Sequence, residues 1–177
     1  VLIDLLLLLV IILTALIVVT AIAHIWVKVP FIPTPKNVVK DMLEYAELKG
    51  DETIYDLGAG DARLLISAKR MYPSISAVGV ELIPTVWFLG KLRIWFSHQK
   101  VKFHLRNALA QDVSDADCIF LYLIPSVMKD LEHKFDEELK PGTKVVSYAF
   151  QFPTNKSVKE KSVPWLTGER QLRMYEW

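Results

Sequence analysis

The chain has 177 residues, the length of one domain with room for a sizeable core. Its 21 Lys and Arg stand against 20 Asp and Glu, and a net charge of +1 argues against a dedicated nucleic-acid binder. The single cysteine excludes an internal disulfide, and the mean hydropathy of +0.28 is high for a soluble enzyme.

The N-terminus accounts for that hydropathy. Leu5 to Ala23 is a run of 19 residues without a charge, about 28 Å as a helix and long enough to cross a bilayer. Ala21-Ile22-Ala23 imitates a signal-peptidase site, but the run exceeds an ordinary signal core and Asp4 replaces the usual basic start. No polar stripe breaks it, so a buried core helix fits poorly. His24, Trp26 and Lys28 then read as the membrane interface. All 21 Lys and Arg follow the span, which places a single-pass membrane anchor at residues 1–26 with the catalytic domain on the cytoplasmic side. Pro30, Pro33 and Pro35 make residues 27–35 an extended connector, and residues 36–177 form the domain itself.

Within that domain Thr34 reads as an N-cap with Pro35 at the first helical position, and Val38, Val39, Met42, Leu43 and Ala46 recur at helical spacing through Glu47. Thr53-Ile-Tyr-Asp-Leu57 is then a strand running into Gly58-Ala-Gly60-Asp61, and Leu64, Leu65, Ala68 and Met71 form a helix stopped by Pro73. Strand, glycine turn and helix make the first βα unit of a nucleotide-binding sheet. A dinucleotide fingerprint wants a third glycine where Arg63 stands, and Asp56 and Asp61 would repel a pyrophosphate at the helix N-terminus. A cofactor without phosphate, carrying an amino acid end and a sulfonium, suits this acidic rim. That chemistry is S-adenosylmethionine. Ile75 to Glu81 is the second strand, and Glu81, 21 residues after Gly60, is placed to accept ribose hydroxyls.

Pro84 opens a helix to about His98. Phe88, Leu92, Trp95 and Phe96 share one face, expected to pack on the sheet. Trp87 and Ile94 share another stripe, beside Lys91, and either rest on a bilayer or widen the buried face. Val101 to Leu105 is a third strand, on which Lys100, Lys102, His104 and Arg106 alternate with apolar residues as a solvated face. Ala116 to Tyr122 is an apolar mid-sheet run in which Cys118 is a buried inert thiol. Ser126 to Leu139 is helical, Thr143 to Tyr148 is the fifth strand, and Ser162 to Leu166 pairs with Gln171 to Trp177 about Thr167-Gly168-Glu169. The expected fold is therefore α/β: a Rossmann-like class I methyltransferase sheet with a C-terminal β-hairpin, preceded by one transmembrane helix.

Val29-Pro-Phe-Ile-Pro-Thr-Pro35, Tyr55-Asp-Leu-Gly-Ala-Gly-Asp-Ala-Arg63, Ala77-Val-Gly-Val-Glu81 and Glu138-Leu-Lys-Pro-Gly-Thr-Lys-Val-Val-Ser147 resemble the small class I protein-lysine methyltransferases. That group contains broad-specificity single-domain enzymes and membrane-anchored relatives acting on the adenine nucleotide translocase and the ATP synthase c-subunit. The resemblance implies that Gly58 and Gly60 cradle the methionine end of the cofactor, with Asp56 near its ammonium and Asp61 on the same rim. It further implies that Glu81 holds the ribose, that Asn107 lies near the adenine, and that Thr34 closes over the site. One departure stands out: Ala62 replaces a glycine usual in the family.

The reactive zone of such a sheet lies at the C-terminal end of strand four, Leu121-Tyr122-Leu123-Ile124-Pro125. Nucleic-acid amino-methyltransferases usually carry an Asp or Asn, two prolines and an aromatic there, and this chain does not. Tyr122 is the candidate catalytic residue, flanking the substrate amine through its ring or hydroxyl, although a core aromatic fits its position as well. Tyr148 is a second candidate of the same kind. A lysine with a reference pKa of about 10.4 is neutral in only about one molecule in 2,500 at pH 7. An apolar channel and a nearby sulfonium both favour the neutral amine, so no strong base is required. His24, His98, His104 and His133 show no ligand spacing, so no metal is expected. The reading is S-adenosylmethionine-dependent methyl transfer to lysines of a protein, membrane-associated and without a nucleic-acid partner. A small-molecule or lipid methyltransferase and a non-catalytic S-adenosylmethionine-binding assembly factor on the membrane are the alternatives.

Overall fold

A computed structural model of the chain describes residues 1–27, 32–165 and 168–177, without the side chains of residues 20 and 22–27. The N-terminal run is one helix, α1 (Leu2–Val27), and its window Leu2–Val19 has a mean hydropathy of 3.3 with nothing buried. Among the described residues it contributes none to either core cluster, but it contacts α4 (Pro84–Ser97). Residues 28–31, which include Lys28 and part of the proline-rich connector, lie outside the described residues, as do the side chains of His24 and Trp26.

Seven strands form one sheet: β1 (Thr53–Leu57), β2 (Ser76–Glu81), β3 (Lys102–Leu105), β4 (Cys118–Leu121), β5 (Lys144–Tyr148), β6 (Lys159–Trp165) and β7 (Gly168–Glu176). Their order is β3-β2-β1-β4-β5-β7-β6, with β1 to β5 parallel and β7 antiparallel to both neighbours. This is the class I methyltransferase arrangement, and the strand order reverses between β1 and β4, where an open α/β sheet opens a crevice for ligands.

The central strands are buried on both faces, so alternation sorts their residues between two cores. Ile54, Cys118 and Phe120 face α2 (Lys36–Tyr45) and α3 (Arg63–Met71), whereas Leu57, Ile119 and Leu121 face α5 (Pro125–Glu138). Cys118 is buried, and burial pushes its thiol far up, which leaves it inert.

Three details differ from expectation. Thr34 is not an N-cap: α2 begins at Lys36 with Pro35 as the capping residue and no side-chain cap bond. The hairpin strands are longer than their apolar runs, starting at Lys159 and Gly168, because main-chain pairing with β5 and β7 needs no apolar side chain. Glu169 and Gly168 thus belong to β7, and Thr167 lies outside the described residues.

The third difference is a rotation of α4. Trp87 and Ile94 pack against the core, while Phe88, Leu92, Trp95 and Phe96 are exposed, the last two by 68% and 70%. The helix is apolar nearly all round, so periodicity alone does not choose the buried side. Gly90 chooses it. A Cβ there would lie 2.5 Å from Phe103 Cε1 and 3.1 Å from the Gly60 carbonyl, so only this small face lets α4 approach β3 and the glycine loop. Trp87, on that side, stacks over Phe103 with ring centroids 6.4 Å apart.

Candidate active site

Beyond β1 the chain must turn sharply to start α3. Gly58 and Gly60 do so at φ 82° and 57°, where a Cβ is unfavourable, and the Gly58 and Ala59 N–H groups both donate to the Val80 carbonyl at 2.9 Å. A Cβ on Gly58 would also lie 2.7 Å from Leu123 Cδ2, across the crevice. Ala62 caps α3 in the same left-handed region, at φ 61°, and is fully buried. That conformation costs an alanine about 1–2 kcal/mol. Burial of its methyl offsets about 0.8 kcal/mol, and its stiffer unfolded chain offsets about 0.4–1 kcal/mol, so alanine is tolerated there.

Three carboxylates surround this turn, and they are not equivalent. Glu81, at the end of β2, accepts the Gly60 N–H at 2.9 Å and the Ile83 N–H at 2.8 Å. Asp61 is clamped by Arg63, whose Nε and Nη2 donate at 2.8 and 2.7 Å, and by Arg93 Nη1 from α4 at 2.8 Å. Burial alone would raise the Asp61 carboxyl, but the bonds from Arg63 and the charges of Arg63 and Arg93 hold it below the ordinary carboxylate range. Arg63 reaches further and donates to the Thr34 carbonyl at 2.9 Å, joining the loop to the lead-in segment. Asp56 has no such support: no cation pairs with it among the described residues. Burial, reinforced by the charges of Glu81 and Asp61, pushes its carboxyl up to about 8.

The opposite wall comes from the end of β4 and from the C-terminal strands. Tyr122 packs against Tyr148 at 4.7 Å between ring centroids and stacks with Phe150 at 6.3 Å. Its hydroxyl accepts from Arg170 Nη1 at 2.5 Å, and the Arg170 guanidinium lies 4.0 Å from the centroid of the Trp165 ring. Tyr148 is completely buried behind Tyr122 and does not line the crevice, so it is a core aromatic, and burial pushes its hydroxyl up to about 12. On a third side Asn107 accepts the Leu109 N–H at 3.0 Å and caps a short 3₁₀ turn.

Thr34, Asp56, Gly58, Gly60, Asp61, Glu81, Asn107 and Tyr122 all line one cavity of about 240 Å³. Residues separated by up to 88 positions in sequence converge there because every parallel strand delivers its C-terminal end to the same edge of the sheet.

A profile of the ANTKMT methyltransferase domain matches residues 56–159, the stretch that supplies most of the cavity lining. The chain belongs to that family. It is 37% identical over 128 residues to a protein-lysine N-methyltransferase of Saccharolobus islandicus, covering 70% of this chain and 78% of the relative. It is 27% identical over 129 residues to the rat ATP synthase c-subunit lysine N-methyltransferase, covering 72% of this chain but only 58% of that protein. Among solved structures, a Salinibacter ruber protein described as an RNA methyltransferase, in complex with S-adenosyl-L-homocysteine, superposes with a TM-score of 0.74. The two are 31% identical, and the match covers 82% of this chain and 93% of that one. As a family member, the chain is an S-adenosylmethionine-dependent protein-lysine N-methyltransferase.

The cavity fits that cofactor on its own terms. A buried carboxylate without a cation, raised to about 8, suits a ligand carrying an ammonium group. Leu123 Cδ2 would lie 2.7 Å from a Cβ on Gly58, so the loop has room for main chain only at this wall of the cavity. That cofactor, when bound, supplies a methyl carbon on a positively charged sulfur.

Sequence reasoning missed Arg63 as a clamp, Arg93 and Arg170. Arg63 was readable in principle, two residues from an acid at a helix start. Arg93 and Arg170 were not, because their partners are 32 and 48 positions away and only the docking of α4 and β7 unites them.

Proposed function

We propose that this lysine methyltransferase acts on proteins held at a membrane, tethered there by residues 1–26 through the connector 27–35, with residues 36–177 as the catalytic domain. The observation that carries this reading is the coexistence in one chain of a methyltransferase cavity and the exposed apolar window Leu2–Val19, long enough to span a bilayer. The cations that follow the span favour the cytoplasmic side for the domain.

In this reading Asp56 receives the cofactor's ammonium, Gly58 and Gly60 pass beneath its methionine end, Glu81 accepts the ribose hydroxyls, and Asn107 borders the adenine. Thr34 closes the entrance. Asp61 acts through Arg63 and Arg93 to hold the loop rather than by touching the cofactor. Tyr122 flanks the acceptor amine. With its hydroxyl already accepting from Arg170, it keeps a lone pair for an amine N–H, and the guanidinium beside it disfavours a second positive charge. An incoming lysine is thereby pressed toward its neutral, nucleophilic form, and its nitrogen is aligned with the methyl carbon. Such alignment alone can lower the barrier by about 7–11 kcal/mol.

Incubating the full chain with methyl-labelled cofactor and a membrane fraction, then separating protein, lipid and RNA, tests the reading. Label on lysine side chains of membrane proteins is expected. Label confined to lipid or RNA overturns it, and binding of cofactor without any transfer makes the chain a cofactor-binding assembly factor.

A further inference from the structure

The outer face of α4 is an apolar surface that the core leaves uncovered. Phe88, Leu89, Leu92, Trp95 and Phe96 are all exposed, by 39% to 70%, and the Trp95 and Phe96 rings lie against each other at 4.7 Å. A contiguous apolar patch of this kind on an enzyme surface marks a binding site.

Charge identifies the occupant. Between Glu81 and Asp112 the chain carries Lys91, Arg93, Lys100, Lys102 and Arg106 and no carboxylate, although its net charge is only +1. Arg93 is engaged by Asp61, but Lys91, Lys100 and Lys102 have no ion-pair partner among the described residues. Exposed aromatic and leucine side chains bordered by lysines match the boundary between acyl chains and anionic headgroups. α1 contacts this same helix, which brings the apolar span next to α4. We propose that α4 is a membrane-docking surface that lies in the interface of an anionic bilayer. This rests on the tethering read above, and it adds an orientation. Leu82, Arg106 and Asn107, which flank α4 and β3, also line the cavity, so docking sets the cavity mouth beside the headgroups. The lysines it reaches are then those that project from membrane proteins close to the bilayer surface.

Spin labelling of the full chain reads this directly, because the lone native thiol, Cys118, is buried. Labels are introduced by Phe96→Cys, and by Lys129→Cys on exposed α5 at the other face of the sheet. The proteins are floated with phosphatidylcholine–phosphatidylglycerol vesicles. Collision with oxygen against a water-soluble nickel chelate is then measured. The expected result is a several-fold higher oxygen-to-nickel ratio at position 96 than at position 129. Lys100→Glu with Lys102→Glu should lower that ratio on anionic vesicles but not on pure phosphatidylcholine. If the chain floats but position 96 meets the nickel chelate as freely as position 129, the docking proposal falls and the tether stands. If the chain does not float, the tether falls and the docking surface with it. Shielding of position 96 without vesicles, or on adding RNA, assigns the face to a second copy or to nucleic acid and overturns the proposal.

Discussion

The Glu81 carboxylate accepts the Gly60 N–H at 2.9 Å, so the end of β2 holds the loop that follows β1. Its other oxygen accepts the Ile83 N–H, which leaves the group fixed at the cavity wall. One residue therefore both shapes the turn and lines the cavity.

Glu81→Ala should lose both functions. Hydrogen bonds to a charged group contribute about 1.5–3 kcal/mol, so S-adenosylhomocysteine affinity should fall about 10- to 100-fold. The melting temperature should fall as well, because two N–H groups lose their acceptor. Calorimetry and a thermal melt check this, and unchanged affinity in a folded variant would remove Glu81 from the site.

Asp56 predicts a pH dependence. Its carboxyl is raised to about 8 in the folded chain and is near 3.9 when unfolded, so its protonated form favours the ligand-free fold. That contribution is fully present below about pH 4 and lost as pH rises through about 8. A cofactor ammonium stabilises the ionised form, so binding should release a proton between these limits. Affinity should rise with pH towards about 8 and fall again as the cofactor's own ammonium loses its proton. Asp56→Asn should flatten the curve, as calorimetry in two buffers of different ionisation enthalpy will reveal.

Arg170→Met should shift the pH–rate profile. Without the guanidinium on Tyr122, a bound lysine keeps its proton to higher pH, so the acid limb of kcat/KM should move upward. Cofactor affinity should stay unchanged. An unmoved limb would leave Arg170 a packing residue on Trp165.

Trp87→Ser with Ile94→Ser should collapse the melting temperature, because both side chains pack on the core. Both are half-buried, so the loss should fall below the cost of truncating a fully buried tryptophan, about 3–5 kcal/mol. Phe88→Ser with Trp95→Ser, on the exposed face, should leave the melt nearly unchanged. Equal effects from the two pairs would contradict the orientation of α4.

Element order, the glycine turn, the acid at the end of β2 and the apolar span were legible in the sequence, because each is written in local spacing. Strands alternate, a sharp turn demands glycine, and a bilayer demands length. Tertiary structure alone decided which side of α4 is buried, since a helix apolar all round carries no periodic preference and the closeness of Gly90 to Phe103 breaks the tie. It alone made the three acids different. Asp61 meets Arg93 from α4, Glu81 meets main-chain N–H groups, and Asp56 meets neither. In the sequence all three are acids beside a glycine turn. A charge acquires its chemical character from what the fold brings to within about 3 Å of it, and spacing along a chain does not encode that.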